Sequence, residues 1–179
     1  MAHSLTKDPF VFDFLALGHD VDERHIEQAL VDRMVEVLRE LGPGWAFVDR
    51  QRHIHVDGRD FYIDLLFFHV EQLRYIVVEL KAGPFTPEQT GQLGFYVSIV
   101  DDLIRKKQHA PTVGILLVSD KSEAVVRYTL SGTSRPLAVS SYTYEALPDR
   151  EKDSLPAAER LKRALRAPIP GKQQKSTEV

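Results

Sequence analysis

No cysteine occurs in the 179 residues, which excludes disulfides and thiolate zinc centres. No apolar run approaches the roughly 20 residues of a membrane span, and the opening MAHSLTKDPF lacks the basic patch and apolar stretch of a secretory leader. The chain therefore reads as a soluble, cytoplasmic protein with no membrane contact. GxSxG, Walker A and GxGxxG sequences are missing, as is the HExxH pair of a helical zinc site. His53, His55 and His69 fall in no grouping that predicts zinc, and His69 reads as a plain surface histidine. Positive charge is also in short supply. The formal net charge of −3 pulls against a phosphate-binding surface. A site that gathers carboxylates around cations, with local basic clusters such as Arg50, Arg52, His53 and Arg59 or Arg105, Lys106 and Lys107, reconciles the two. Lys106 and Lys107 can equally answer the carbonyls at a helix end.

What is present is an ordinary globular balance, 43% hydrophobic and 27% charged, in a length that suits one domain with one core. Asp22 to Leu41 places Ile26, Ala29, Leu30, Met34, Val37, Leu38 and Leu41 at helical spacing, and Gly42-Pro43-Gly44 stops that helix. Trp45–Val56, Phe61–His69 and Tyr75–Lys81 are rich in β-branched and aromatic residues, and Asp57-Gly58 between the first two is a hairpin signal. They predict a three-stranded antiparallel meander. Gly83-Pro84 breaks the third strand, Thr86-Pro87 reads as the cap and first turn of a helix to about Lys107, and TVGILLVS from Thr112 reads as a strand buried on both faces. A helix over Ser122–Leu130 and a strand over Leu137–Ser141 follow. The order α-β-β-β-α-β-α-β predicts an α/β fold, a mixed sheet flanked by helices. The domain is expected to span residues 1–148, with 149–179 a helical and flexible tail.

The chemistry is concentrated in two strands. YIDLLFF sets Asp64 among large apolar residues, where an unpaired carboxylate is costly. In IVVELKAG, Glu79 and Lys81 stand two apart and project from the same face of a strand. A Glu-x-Lys alone is no more than an edge-strand ion pair. With Asp64 beside Glu79 at the sheet edge, two carboxylates and a lysine converge, and oxygen donors of this kind suit Mg²⁺ or Mn²⁺. The Leu80 side chain must face the other way, leaving its carbonyl to complete a metal shell. Lys81 would hold the attacking water.

Asp64 followed by Glu79-Leu80-Lys81 on the next strand resembles the signature of the PD-(D/E)XK nuclease superfamily, whose restriction-endonuclease-like core has this element order. The stretch from FVDRQRHIHV to GFYVSIVDD resembles the C-terminal nuclease domain of YhcG-type proteins over roughly residues 10 to 145. That resemblance implies a Mg²⁺-dependent nuclease acting on DNA rather than RNA. It also implies that an N-terminal helical domain carried by longer members is absent from this chain. It carries over Glu27 as a further metal ligand, and Gln92 with Tyr96 as a Q-x-x-x-Y pair that orients Lys81 or touches the nucleic-acid backbone. Glu27 also fits a solvent-facing helix position, Gln92 a hydrogen bonder at the rim of the core, and Tyr96 a structural aromatic. Arg50, Arg52 and Arg59 are the expected phosphate contacts. Gly94 departs from relatives that carry a larger polar residue mid-helix. The alternative from another class is a nuclease fold serving as a nucleic-acid-binding or assembly module without cleavage. Oligomeric state, a homodimer included, and endo- versus exonuclease action stay open.

Overall fold

The computed structural model describes residues 2–18 and 20–144, so the tail expected from residue 149 lies outside the described residues. A 3-10 turn (Ala2–Leu5) leads into a two-residue strand, β1 (Phe10–Val11), which is too short for any alternation to announce it. Phe10, Phe12 and Leu15 beside it are nonetheless fully buried.

The single helix expected over Asp22–Leu41 is two helices, α1 (Glu23–Asp32) and α2 (Met34–Leu41). Asp22 caps α1, its carboxylate accepting from the His25 amide at 2.9 Å. The break falls at Arg33, with φ −117° and ψ 36°, whose guanidinium lies 5.9 Å from the centre of the Phe14 ring and pairs with Glu36. Neither glycine nor proline marks the break. It accompanies a tertiary contact with the N-terminal segment.

The meander is present as β2 (Trp45–Val56), β3 (Arg59–His69) and β4 (Arg74–Leu80). Asp57 and Gly58 both have positive φ, 48° and 75°, the backbone that a two-residue hairpin turn demands. The next helix, α3 (Gln89–Leu103), is shorter at both ends than expected. Thr86-Pro87-Glu88 forms a preceding turn, in which the Gln89 side chain accepts from the Thr86 amide at 3.1 Å. Then come β5 (Val113–Val118), α4 (Glu123–Ser131), capped by Ser122, and β6 (Leu137–Thr143).

The six strands lie in the order β1-β6-β5-β4-β3-β2. Pairing is antiparallel across β2, β3 and β4 and parallel from β4 through β5 and β6 to β1. The architecture is the mixed, helix-flanked sheet that the element order predicts. α1, α2 and the N-terminal segment cover one face over Leu65, Phe67, Ile76, Val78 and Leu80. α3 and α4 cover the other over Leu66, Val77, Leu116 and Val118. Two expectations are corrected here. β3 and β4 are interior strands, so Asp64 and Glu79 do not sit at a sheet edge, and His69 is buried, its ring 6.4 Å from that of Trp45. Among the described residues no helix is long and apolar enough to cross a membrane.

α3 approaches β5 closely because Gly114 offers no side chain. A Cβ there would stand 2.8 Å from Leu137 and Val97 and 2.9 Å from Leu93, all packed core atoms. Gly94 on α3 faces the Arg135 side chain instead, whose Nη1 would lie 2.9 Å from an added Cβ and can swing away. Gly114→Ala should therefore cost about 1–3 kcal/mol in urea unfolding, whereas Gly94→Ala should be near neutral or gain up to about 1 kcal/mol from helix propensity. A Gly114→Ala protein as stable as its parent would show that α3 can lift from the sheet without loss.

Candidate active site

The β3–β4 ladder runs from His69↔Arg74 to Leu65↔Val78. Just beyond it, one residue on in β3 and two in β4, each strand's amide turns to the other strand's carboxylate. Asp64 N donates to Glu79 Oε1 at 3.1 Å, and Leu80 N donates to Asp64 Oδ2 at 2.9 Å. Strands that part inside a protein leave amides needing acceptors, and these two carboxylates supply them. Glu79 is 4% exposed, Asp64 is half-buried, and the Leu80 side chain points into the core on the opposite face from Glu79.

Glu27, on α1, is also 4% exposed. Its carboxylate turns inward to β2, accepting from Arg50 Nε at 2.6 Å on one oxygen and from Gln51 Nε2 at 2.6 Å on the other. The same Gln51 nitrogen donates to Asp64 Oδ1 at 3.0 Å. Between two carboxylates only the NH₂ end of an amide can face both, so Gln51 joins Glu27 to Asp64 through a single donor. Its φ of 47° is uncommon for a residue other than glycine.

Burial and the charge of Asp64 push the Glu79 carboxyl up to about 9. Burial raises Asp64 as well, against the pull of the Leu80 amide and with the charge of Glu27 adding to the rise. Lys81, half-buried just past β4, draws Glu79 downward through its charge. No ion pair ties its ammonium to a carboxylate among the described residues. Its backbone is fixed on both sides, N donating to Leu117 O at 2.8 Å and O accepting from the Tyr142 hydroxyl at 2.9 Å. From α3, Gln92 Nε2 donates to the Tyr96 hydroxyl at 3.3 Å. Tyr96 is buried and its hydroxyl is pushed up by burial and then by the charge of Glu79, whereas Gln92 is exposed.

The structure thus gathers Glu27, Asp64, Glu79, Leu80 and Lys81, with Tyr96 on the α3 side. The three arginines do not form one basic edge. Arg50 holds Glu27 and Gln28, Arg52 pairs with Asp49 at 3.2 Å, and Arg59 is exposed beside the hairpin turn. Sequence reasoning passed over Gln51, although a signal for it existed. Counting pairs back from the two-residue Asp57-Gly58 turn places Gln51 opposite Asp64, between the observed pairs Arg52↔Ile63 and Arg50↔Leu65. Tyr142 carried no such signal, since its partner Lys81 lies just past β4 and is brought near by the parallel half of the sheet.

Three oxygen donors short of positive charge suit a hard divalent cation. The Gln51 amide between two acids and the raised Asp64 and Glu79 carboxyls both express that deficit, so the residues fit such an ion.

Residues 3–157 match the family described as the YhcG PDDEXK nuclease domain. The protein named "Putative nuclease YhcG" of Escherichia coli (strain K12) is 33% identical over 146 residues, which cover 82% of this chain and 39% of that protein. The chain therefore spans about two fifths of the length of this curated relative. Among solved structures, a repair endonuclease from Pyrococcus abyssi aligns over 72% of this chain and 50% of its own, at 18% identity and a TM-score of 0.44. EndoMS in a complex with double-stranded DNA aligns over 81% and 51%, at 18% identity and a TM-score of 0.46.

The raised Glu79 carboxyl fixes the sign of a pH effect. Between its ordinary value of 4.5 and about 9 the folded protein holds a proton that the unfolded chain releases, so stability falls as pH rises through that window. In metal-free buffer, urea midpoints should decline from pH 5.5 to 8.5 in the parent and decline less in Glu79→Gln. Parallel profiles for the two proteins would remove Glu79 as the cause.

Proposed function

This chain belongs to the YhcG PDDEXK nuclease domain family, and from that premise we propose that it hydrolyses phosphodiester bonds of DNA with the help of a divalent metal ion, Mg²⁺ or Mn²⁺. The observation that carries this reading is the crossed pair at the parting of β3 and β4, where Asp64 and Glu79 are each held by the other strand's amide. Carboxylates fixed in this way need no rearrangement to act as ligands, which is the preorganisation that a catalytic site requires. Asp64 and Glu79 would hold the ion, Glu27 would ligate it directly or through water, and the Leu80 carbonyl would complete the protein's share. When bound, the ion polarises the scissile phosphate and offsets the charge that builds on it during attack by water.

The chain's own groups do the rest. Lys81, with its backbone clamped between β5 and Tyr142, positions the attacking water and assists removal of its proton. Arg50 keeps Glu27 oriented, in the manner of an outer partner that orients a ligand. Tyr96 and Gln92, one helical turn apart, flank Glu79 on the α3 side and offer hydroxyl and amide groups to the nucleic-acid backbone. DNA is the polymer that the family resemblance favours. Arg59 beside the hairpin turn and Lys106 and Lys107 after α3 are exposed cations from which phosphate contacts would come.

The test is incubation of the purified chain with linear, circular, single-stranded and branched DNA, with and without Mg²⁺ or Mn²⁺. Asp64→Asn, Glu79→Gln and Lys81→Ala should each reduce cleavage by about a hundredfold or more. The amide replacements keep an acceptor for the amides of Leu80 and Asp64, so the fold should survive them. Calorimetric metal binding should be lost in the first two variants and retained in Lys81→Ala. Parent-level cleavage in any of the three would overturn the assignment.

Arg50 offers a second test of the site. Arg50→Ala leaves Glu27 with one donor fewer in a buried setting. Cleavage at limiting Mg²⁺ should fall by roughly 10–100-fold, the usual scale for loss of a group that orients a ligand, and should recover substantially at saturating Mg²⁺. A loss that saturating metal does not relieve would place Arg50 on the substrate instead.

A further inference from the structure

We propose that the outer half of the β2–β3 hairpin carries a second metal site, separate from the carboxylate cluster, in which His53, His55 and Asp60 bind a borderline transition ion such as Zn²⁺, Ni²⁺ or Cu²⁺. His53 and His55 stand two apart on β2 and so share a face. Asp60 is paired with His55 across the hairpin. Both rings turn a nitrogen to one carboxylate oxygen, His53 Nε2 to Asp60 Oδ1 at 2.7 Å and His55 Nδ1 to the same atom at 2.8 Å. One donor atom from each of the three residues lies within 4.8 Å of the other two. Each imidazole thus already presents the atom that would ligate, and presents it toward a common point.

The ligands are also held in place before any ion arrives. The tight turn at Asp57-Gly58 and the continuous register from Val56↔Arg59 to Arg52↔Ile63 fix β2 against β3, so no backbone has to be ordered. Tyr62 stacks on the His53 ring at 5.0 Å and 29°. Bonds of about 2.0–2.1 Å in a four-coordinate shell set ligand atoms roughly 3.3 Å apart, so each ring nitrogen would withdraw from Asp60 Oδ1 by about half an ångström. All three side chains are more than half exposed, which leaves them free to do so and leaves the remaining coordination positions to water. Two imidazoles with one carboxylate favour Zn²⁺, Ni²⁺ and Cu²⁺ over Mg²⁺, which prefers an all-oxygen shell. A search for zinc ligands at helical spacing passes over this set, because its histidines have strand spacing and its carboxylate comes from the neighbouring strand.

The experiment is a Zn²⁺ titration of the full chain by calorimetry, with Mg²⁺ in excess to occupy the carboxylate cluster. The parent should bind one Zn²⁺. His53→Ala and His55→Ala should each weaken that binding by about tenfold or more, as loss of a ligand costs at least what loss of an outer partner does. Asp60→Asn should weaken it as well, and Glu79→Gln should leave it unchanged. With Cu²⁺ as the probe, electron paramagnetic resonance should show two nitrogen ligands in the parent and fewer in His53→Ala. Zn²⁺ binding unaffected by either histidine replacement overturns the proposal. So does binding that survives both but disappears in Glu79→Gln, since that places the ion on the carboxylates.

Discussion

Everything distinctive in this fold depends on how β3 and β4 separate. Two antiparallel strands that diverge inside a sheet leave amides facing an empty ladder, and in a buried setting each must find an acceptor. Here the acceptors are Asp64 and Glu79, each bonded to the partner strand. The arrangement fixes both carboxylates by the same bonds that satisfy the backbone, so the geometry of the acids and the integrity of the sheet are one constraint. The gap also lets Gln51 reach through from β2 to Glu27 and Asp64, drawing α1 into the same centre.

Under the proposed function, that centre would let a chain with a net charge of −3 act on a polyanion. The arginines of β2 near the acids are already engaged, Arg50 by Glu27 and Arg52 by Asp49, which leaves Lys81 as the cation beside Glu79. The acids themselves remain under-compensated: burial pushes both carboxyls up, with the charge of Glu27 adding to the rise at Asp64 and that of Asp64 to the rise at Glu79. Under the proposed function, attraction for a phosphate diester would come less from a basic surface than from cations recruited to the carboxylates.

Much of the fold was legible because the signals were local. Asp57-Gly58 dictated a hairpin, the all-apolar TVGILLVS dictated a strand buried on both faces, and Gly42-Pro43-Gly44 dictated a stop. What failed to show was tertiary. The break at Arg33 carries no breaking residue and accompanies a contact with Phe14. β1 is two residues long and exists only by pairing with β6. The placement of Glu79 in the interior rather than at an edge follows from β5 and β6 adding beyond β4, an outcome that no property of IVVELKAG encodes. Within the site, Asp64, Glu79 and Lys81 stood out as polar groups in apolar strands. Gln51 did not, lying among Asp49, Arg50, Arg52 and His53, where a polar residue draws no notice.

The unequal lengths of the strands have a mechanical consequence. β2 and β3 have 12 and 11 residues against 7 in β4, and the β4 ladder ends at Leu65, so the hairpin runs on as a two-stranded arm. From Asp64 to Arg59 that arm reaches roughly 17 Å at about 3.3 Å per residue, resting on α3 where Phe61 meets Phe95 at 4.8 Å between ring centres. Its root is the row that holds Gln51 and Asp64. A load applied at the tip would bear first on the two side chains that line up the acids, since the sheet beyond that row is covered on both faces.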